Sequence, residues 1–229
     1  MAQNFFKRKE KKYLLSTDEF QSIIKSITDN MRPDKYHISS VYNVYFDTES
    51  DDLVQTSLEQ PDYKYKVRVR SYGTESAGKL FFEIKSKVNG VVYKRRVEMS
   101  NQEFERYLVD GLFEDSQVMR ELDYLMKTKS LRPKLFIAYD RMAFIADSGS
   151  DLRITFDKNL RSRRESLNID KHDDCENYFD DNSCIMEIKT RGGMPEWLVD
   201  ALSRNSIYPQ SFSKYGQIYL QSKKELAYA

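Results

Sequence analysis

Basic residues recur at every second position in several short segments of this chain, and Lys64-Tyr65-Lys66-Val67-Arg68-Val69-Arg70 carries the pattern furthest. Successive side chains of a strand point to opposite faces. Lys66, Arg68 and Arg70 therefore share one face, while Tyr65, Val67 and Val69 share the other. On a helix of about 3.6 residues per turn the same positions would scatter around the axis. Glu83-Ile84-Lys85 with Lys87, Lys94-Arg95-Arg96, Arg153-Ile154-Thr155 and Glu187-Ile188-Lys189 repeat the arrangement, with a carboxylate joining the basic groups in two of them. Strands with charge on one face and apolar bulk on the other predict an α+β fold. Several such strands in one sheet predict a closed sheet with a polar lumen. Like charges side by side on neighbouring strands destabilise a sheet unless something neutralises them. The basic face calls for a polyanion.

Charged residues make up 32% of the chain, yet the formal net charge is only +1. A strong positive field must then come from segregation of the basic groups. That balance argues against a general nucleic-acid binder, as does the placement of the aromatics, which the alternation assigns to the apolar faces. With 16 Tyr and 13 Phe against 8 Gly and 5 Pro, the composition is that of a strand-rich globular protein. Its 229 residues suit a single domain over 1–229. Cys175 and Cys184 flank an acidic loop without the framework of a disulfide scaffold and read as reduced thiols. No apolar run reaches the length of a membrane span, so a cytoplasmic location is expected, with any membrane association left to a partner.

Along the chain, a strand is expected over 6–15 and a helix capped at Ser16, with Phe20, Ile23, Ile24 and Ile27 on its apolar face. Pro33-Asp34 marks a break, 38–47 alternates as a strand, and 51–62 reads as a polar connector. Segments 80–88 and 91–99 flank Asn89-Gly90, a strong hairpin signal. Ser100 with Glu103 forms a capping box before a helix, and a second helix covers 116–128. Strands are expected at 135–139, 142–146, 152–157 and 184–190, with a helix at 195–202. The stretch from 212 to 220 carries no decisive period.

An acidic residue inside a basic lumen can hold Mg²⁺ or Mn²⁺, hard ions that take oxygen ligands and bridge to phosphates. Glu187, Glu10 and Glu83 each sit two residues from a lysine and are the candidates. His37 and His172 lack metal-ligand spacing and read as structural. No P-loop, Gly-x-Gly-x-x-Gly or Gly-x-Ser-x-Gly motif occurs. Phosphoryl transfer needs no protein nucleophile, since positioning and charge neutralisation suffice.

An ordered set of short motifs now gives the chain a family resemblance. It comprises Glu-Lys-Lys-Tyr (10–13), Tyr-Phe-Asp (45–47), Val-Arg-Val-Arg (67–70), Glu-Ile-Lys (83–85) and Lys-Arg-Arg (94–96). Further on come Tyr-Asp-Arg-Met-Ala-Phe (139–144), Arg-Ile-Thr-Phe-Asp (153–157), Met-Glu-Ile-Lys (186–189) and Phe-Ser-Lys-Tyr (212–215). In this order they resemble the VTC domain, the polyphosphate polymerase domain of the triphosphate tunnel metalloenzymes. The resemblance implies an α+β fold built on an antiparallel β-tunnel, a closed barrel of about eight strands with flanking helices, and an ATP-dependent polymerase that acts on ATP and inorganic polyphosphate with Mn²⁺ or Mg²⁺. By position it implies Lys12, Arg68, Arg70, Lys85, Arg141 and Lys214 as the catalytic phosphate contacts and Glu187 as the metal ligand, with Glu10 and Glu83 as alternatives. Lys66, Lys94, Arg96, Arg153 and Lys189 fall on matching strand positions as further phosphate-binding residues. The first strand has Glu-x-Lys in place of the Glu-x-Glu-x-Lys of the hydrolytic and cyclase branches, which favours the polymerase branch. A tunnel triphosphatase and a non-catalytic polyphosphate-binding module are the alternatives.

Overall fold

The structure, a computed structural model, describes residues 9–73, 78–89, 91–147, 150–171, 174–178 and 183–228. In chain order the elements are β1 (Lys9–Leu15), α1 (Thr17–Thr28), β2 (Met31–Asp47), α2 (Asp52–Leu58), β3 (Tyr63–Tyr72), β4 (Lys79–Val88) and β5 (Val91–Ser100). There follow α3 (Asn101–Asp110), α4 (Gln117–Thr128), β6 (Arg132–Ala146), β7 (Arg153–Arg163), β8 (Glu176–Asn177), β9 (Cys184–Thr190), α5 (Glu196–Arg204) and α6 (Lys214–Tyr228). The strands form one antiparallel nine-stranded sheet in the order β1-β9-β7-β6-β2-β3-β4-β5, with β8 paired to β7.

The expected closed barrel is corrected to an open sheet. Among the described residues β1 and β5 do not pair, and each leaves a free edge. Both edges are rich in Lys and Arg (Lys9, Lys11 and Lys12 on one, Lys94, Arg95 and Arg96 on the other), a composition that blocks edge-to-edge pairing. The sheet nonetheless curls on itself. Lys85 of β4 reaches Glu10 of β1 at 3.3 Å although the two strands lie near opposite ends of the order.

Alternation sorts each strand between two environments. On the convex face, Val67, Val69, Phe82 and Ile84 pack beneath α3 and α4 with Phe104, Met119 and Leu122. Tyr13, Ile154, Phe156, Met186 and Ile188 pack beneath α1 and α5 with Ile23, Ile27 and Leu198. Ser16 and Ser100 close capping boxes with Glu19 and Glu103 at the starts of α1 and α3. The hairpin at Asn89 is present, with Val88 opposite Val91 and Asn89 at φ 46°; Gly90 lies outside the described residues, as do 6–8 and His172.

Three segments differ from the sequence expectation. The supposed connector after Asp51 contains α2, whose first N–H groups are capped from a distance: Leu53 and Val54 donate to the Asp47 carboxylate at 2.8 and 3.0 Å. The segments 135–139 and 142–146 are one strand of 15 residues, because Asp140-Arg141 continues the ladder with a register shift against β7. The strand after Met31 starts before Pro33 and absorbs the break as an irregularity between Pro33 and Ile38. Cys175 and Cys184 are free thiols. No helix among the described residues is long and apolar enough to cross a membrane.

The concave side is partly filled by α2 and α6. Tyr215, Ile218 and Tyr219 pack with Val54 on Val41, Tyr45, Leu135 and Ile137. A Cβ at Gly216 would stand 3.0 Å from the Leu58 side chain, so glycine lets α6 lie close to α2. Tyr215 Oη donates to Asp47 Oδ2 at 2.8 Å, so a single buried carboxylate ties α6, α2 and β2 together. Tyr215→Phe should cost roughly 1.5–3 kcal/mol, the contribution of a hydrogen bond to a charged group. Urea denaturation measures it, and an unchanged midpoint would show that α6 is anchored by packing alone.

Candidate functional site

Every basic candidate named above belongs to the inner set of its strand's alternation except Lys214, which starts α6 and arrives from outside the sheet. Register then sets rows across the sheet. Lys66 stands opposite Lys85, and Lys85 opposite Lys94; one step along, Arg68 stands opposite Glu83 and Glu83 opposite Arg96.

Glu83 is 0% exposed and centres the first cluster. Arg68 Nε and Nη2 reach its Oε2 at 2.9 and 2.8 Å, and Lys94 Nζ lies 2.5 Å from Oε1. Burial pushes the Glu83 carboxyl up, but Arg68, Arg70 and Lys94 outweigh it and hold it at about 2. Both oxygens are thus engaged by cations. Arg70 donates from Nε to Asn43 Oδ1 at 2.8 Å and from Nη2 to Tyr139 Oη at 3.2 Å, and Arg68 Nη1 donates to Tyr45 Oη at 3.0 Å. Burial pushes the Tyr45 phenol up, yet the combined field of Arg68, Arg70 and Lys66 brings it down to about 7. Arg96 lies over the Phe81 ring at 4.5 Å.

The second cluster centres on Asp157, 2% exposed. Arg141 grips it bidentately, Nε to Oδ1 at 2.6 Å and Nη2 to Oδ2 at 2.8 Å, and Lys214 Nζ adds a bond of 2.6 Å to Oδ2. Burial raises the Asp157 carboxyl, and Arg141 and Lys214 overcome this and hold it at about 2. Lys214 also stands 4.4 Å over the Tyr139 ring.

The third cluster joins the sheet's two ends. Glu187, 8% exposed, accepts from Lys189 Nζ at 3.0 Å, with Arg141 Nη2 at 4.0 Å, and Glu10 lies within hydrogen-bonding reach. Burial raises its carboxyl, but the positive charges of Lys189, Lys12 and Lys85 pull it well below the usual range. Glu10 pairs with Lys85 at 3.3 Å and with Lys12 at 3.7 Å. Lys12 Nζ also donates to Phe212 O at 2.9 Å, and Lys66 Nζ to Ser213 Oγ at 2.6 Å. Arg153 stands apart at the rim, paired with Asp34 at 2.6 Å.

Two carboxylates side by side, Glu187 and Glu10, are the oxygen donor set that suits a hard divalent ion shared with phosphates. Among the described residues no group of three or more His, Cys, Asp or Glu could hold a metal by itself. His37 bonds Ala143 O at 2.8 Å and packs on Phe144, a structural role.

Sequence reasoning missed several participants. Asp157 lies inside a quoted motif but was given no role, and Asn43 and Tyr45 lie on the inner set of β2, where the alternation was visible. One expectation is overturned: Tyr45, Tyr139, Tyr72 and Phe81 stand on the basic face, where the tyrosine hydroxyls meet Arg68 and Arg70. Tyr45 and Tyr139 are only 7% and 3% exposed, so neither offers a ring for a base to stack on.

The sequence matches the VTC domain over residues 7–223. The chain belongs to the VTC domain family. No curated protein matches it at the sequence level. Among solved structures, a candidate adenylate cyclase of Bacillus halodurans superposes with a TM-score of 0.56 at 18% identity, covering 91% of this chain and 96% of that one. A Pyrococcus horikoshii protein gives 0.51 at 15% identity over 95% and 99% of the two chains. A candidate adenylate cyclase of Vibrio parahaemolyticus gives 0.51 at 9% identity over 93% and 97%. At these identities the likeness is one of fold.

Glu83 and Asp157 both titrate lower in this VTC domain than in its unfolded chain. The stability they contribute, roughly 2–3 kcal/mol each, is fully present above about pH 5 and is lost as the pH falls toward 2. Stability measured by urea denaturation from pH 5 to 2.5 should fall steeply, and Asp157→Asn should flatten that slope whatever its effect at neutral pH. Equal slopes would show that Asp157 is not ion-paired in solution.

Proposed function

We propose that this VTC domain is an ATP-dependent polyphosphate polymerase. The observation that carries the reading is the row Lys66, Lys85, Lys94, three like charges in direct cross-strand register on the inner face. Burial and neighbouring cations outweigh the anions nearby and lower both Lys66 and Lys94 to about 8. An anionic chain laid along the row would remove that repulsion, and a triphosphate carries the spacing and charge to do so.

Transfer to phosphate is favoured over transfer to water by the state of the carboxylates. Glu83 is held by Arg68 and Lys94, Asp157 by Arg141 and Lys214, and Glu187 by Lys189. A carboxylate held below its usual range by cations is a weak general base toward water. A terminal phosphate of polyphosphate is already anionic at neutral pH and needs no base to attack in line.

In this mechanism Arg68, Arg70, Lys85, Lys12, Arg141 and Lys214 bind and orient the triphosphate and neutralise charge on the phosphoryl group in flight. Lys66, Lys94, Arg96, Arg153 and Lys189 hold the remaining phosphates. Glu187 with Glu10 would hold Mn²⁺ or Mg²⁺, which would supply further charge neutralisation at the phosphates. The Tyr45, Tyr139 and Asn43 contacts fix the guanidinium planes before substrate arrives. ATP and inorganic polyphosphate are the partners.

Incubating the protein with ATP, Mn²⁺ and a short polyphosphate primer should yield ADP and acid-labile polymer. Orthophosphate without polymer would replace this reading with a triphosphatase, and binding without turnover with a polyphosphate-binding module. Glu187→Gln should retain polyphosphate binding and lose metal-dependent turnover by about 100-fold. Near-normal turnover would move the ion to other ligands.

A further inference from the structure

Thr155 stands in the middle of β7, 1% exposed, with its Oγ1 shielded from solvent and without a hydrogen-bond partner among the described residues. Its chain neighbours Ile154 and Phe156 both enter the outer core, so Thr155 belongs to the inner face. Register sets it directly opposite Glu187 on β9 and Ala143 on β6. Cross-strand partners hold their Cβ atoms about 4.5–5.5 Å apart, within reach of a hydroxyl-to-carboxylate bond. The two cations that form salt bridges with Glu187 address one oxygen, Lys189 Nζ at 3.0 Å and Arg141 Nη2 at 4.0 Å from Oε2. Two residues along the same strand face, Arg153 carries a second buried donor, its Nε, without an acceptor among the described residues.

A shielded hydroxyl with no partner weakens a fold, and valine would fill the same space without that cost. Stability therefore gives no reason for a hydroxyl at this position. We propose that Thr155 is a positioning residue for Glu187. Lys189 occupies the carboxylate in the structure; when Glu187 turns from Lys189 toward a cation-bound phosphate, the Thr155 hydroxyl donates to it and holds that orientation. Outer-shell donors of this kind fix the direction in which a ligating carboxylate points. The inference rests on the metal reading of Glu187 given above.

The test compares wild type, Thr155→Val and Thr155→Ser for Mn²⁺ affinity by calorimetry in the presence of tripolyphosphate, alongside melting temperature in metal-free buffer. Thr155→Val should melt at or above the wild-type temperature yet bind Mn²⁺ about 10–100-fold more weakly, while Thr155→Ser stays near wild type. Thr155→Val binding Mn²⁺ as tightly as wild type overturns the inference alone. So does a Thr155→Val protein that melts well below wild type, since its hydroxyl must then already be satisfied, or a Thr155→Ser protein as weak as Thr155→Val. A wild-type protein that holds no Mn²⁺ under these conditions overturns the metal reading of Glu187, and this inference falls with it.

Discussion

Electrostatic self-repulsion on the inner face is the constraint on which the rest of this structure depends. A sheet that sets Lys66, Lys85 and Lys94 side by side cannot be stable on hydrophobic burial alone unless part of that charge is balanced from within. Glu83 and Asp157 supply the balance. Each is fully buried, each is gripped by an arginine and a lysine, and each draws its cations into one fixed position. The balance is partial, and the lysine row keeps the excess that an anionic ligand would meet.

Fixing cations in this way has a cost in desolvation, and the surrounding structure shows how it is limited. The guanidinium of Arg70 is bonded to Asn43 and Tyr139, and that of Arg68 to Tyr45, so part of their donor set is satisfied before any ligand binds. Tyrosine suits this role because its hydroxyl accepts a bond while its ring packs against α6, as Tyr45 does on Tyr215 at 4.9 Å. The α6 helix then brings Lys214 to Asp157 and is itself held by Asp47. Packing on the inner face and charge placement are one arrangement.

The same fold occurs in proteins that share 18% of residues or fewer with this chain. What persists is the curled antiparallel sheet with helices outside it. A scaffold of that kind does not prescribe a reaction, since the chemistry depends on which inner positions carry acids and which carry bases. In this VTC domain Glu83, Asp157, Glu187 and Glu10 on the inner face are each paired with a basic side chain.

The period of two in the strands determined most of the fold and the inner set of charges. It assigned Arg68, Arg70, Lys85 and Glu187 to one face because a strand has only two faces and the apolar residues claim the other. The Ser16 and Ser100 caps and the Asn89 turn were equally legible, being local chemistry within a few residues. Other features depended on groups far apart in the chain. The α2 helix was hidden because its cap, Asp47, precedes it in another element, and that β1 and β5 stay unpaired among the described residues follows from no local pattern. The pairing of Asp157 with Lys214, of Glu10 with Lys85, and of Tyr45 and Tyr139 with Arg68 and Arg70 joins residues from different elements. Alternation says which face a side chain takes. Only the curl of the sheet and the docking of α6 decide which charges meet there, because those distances are set by packing between elements and not by sequence spacing.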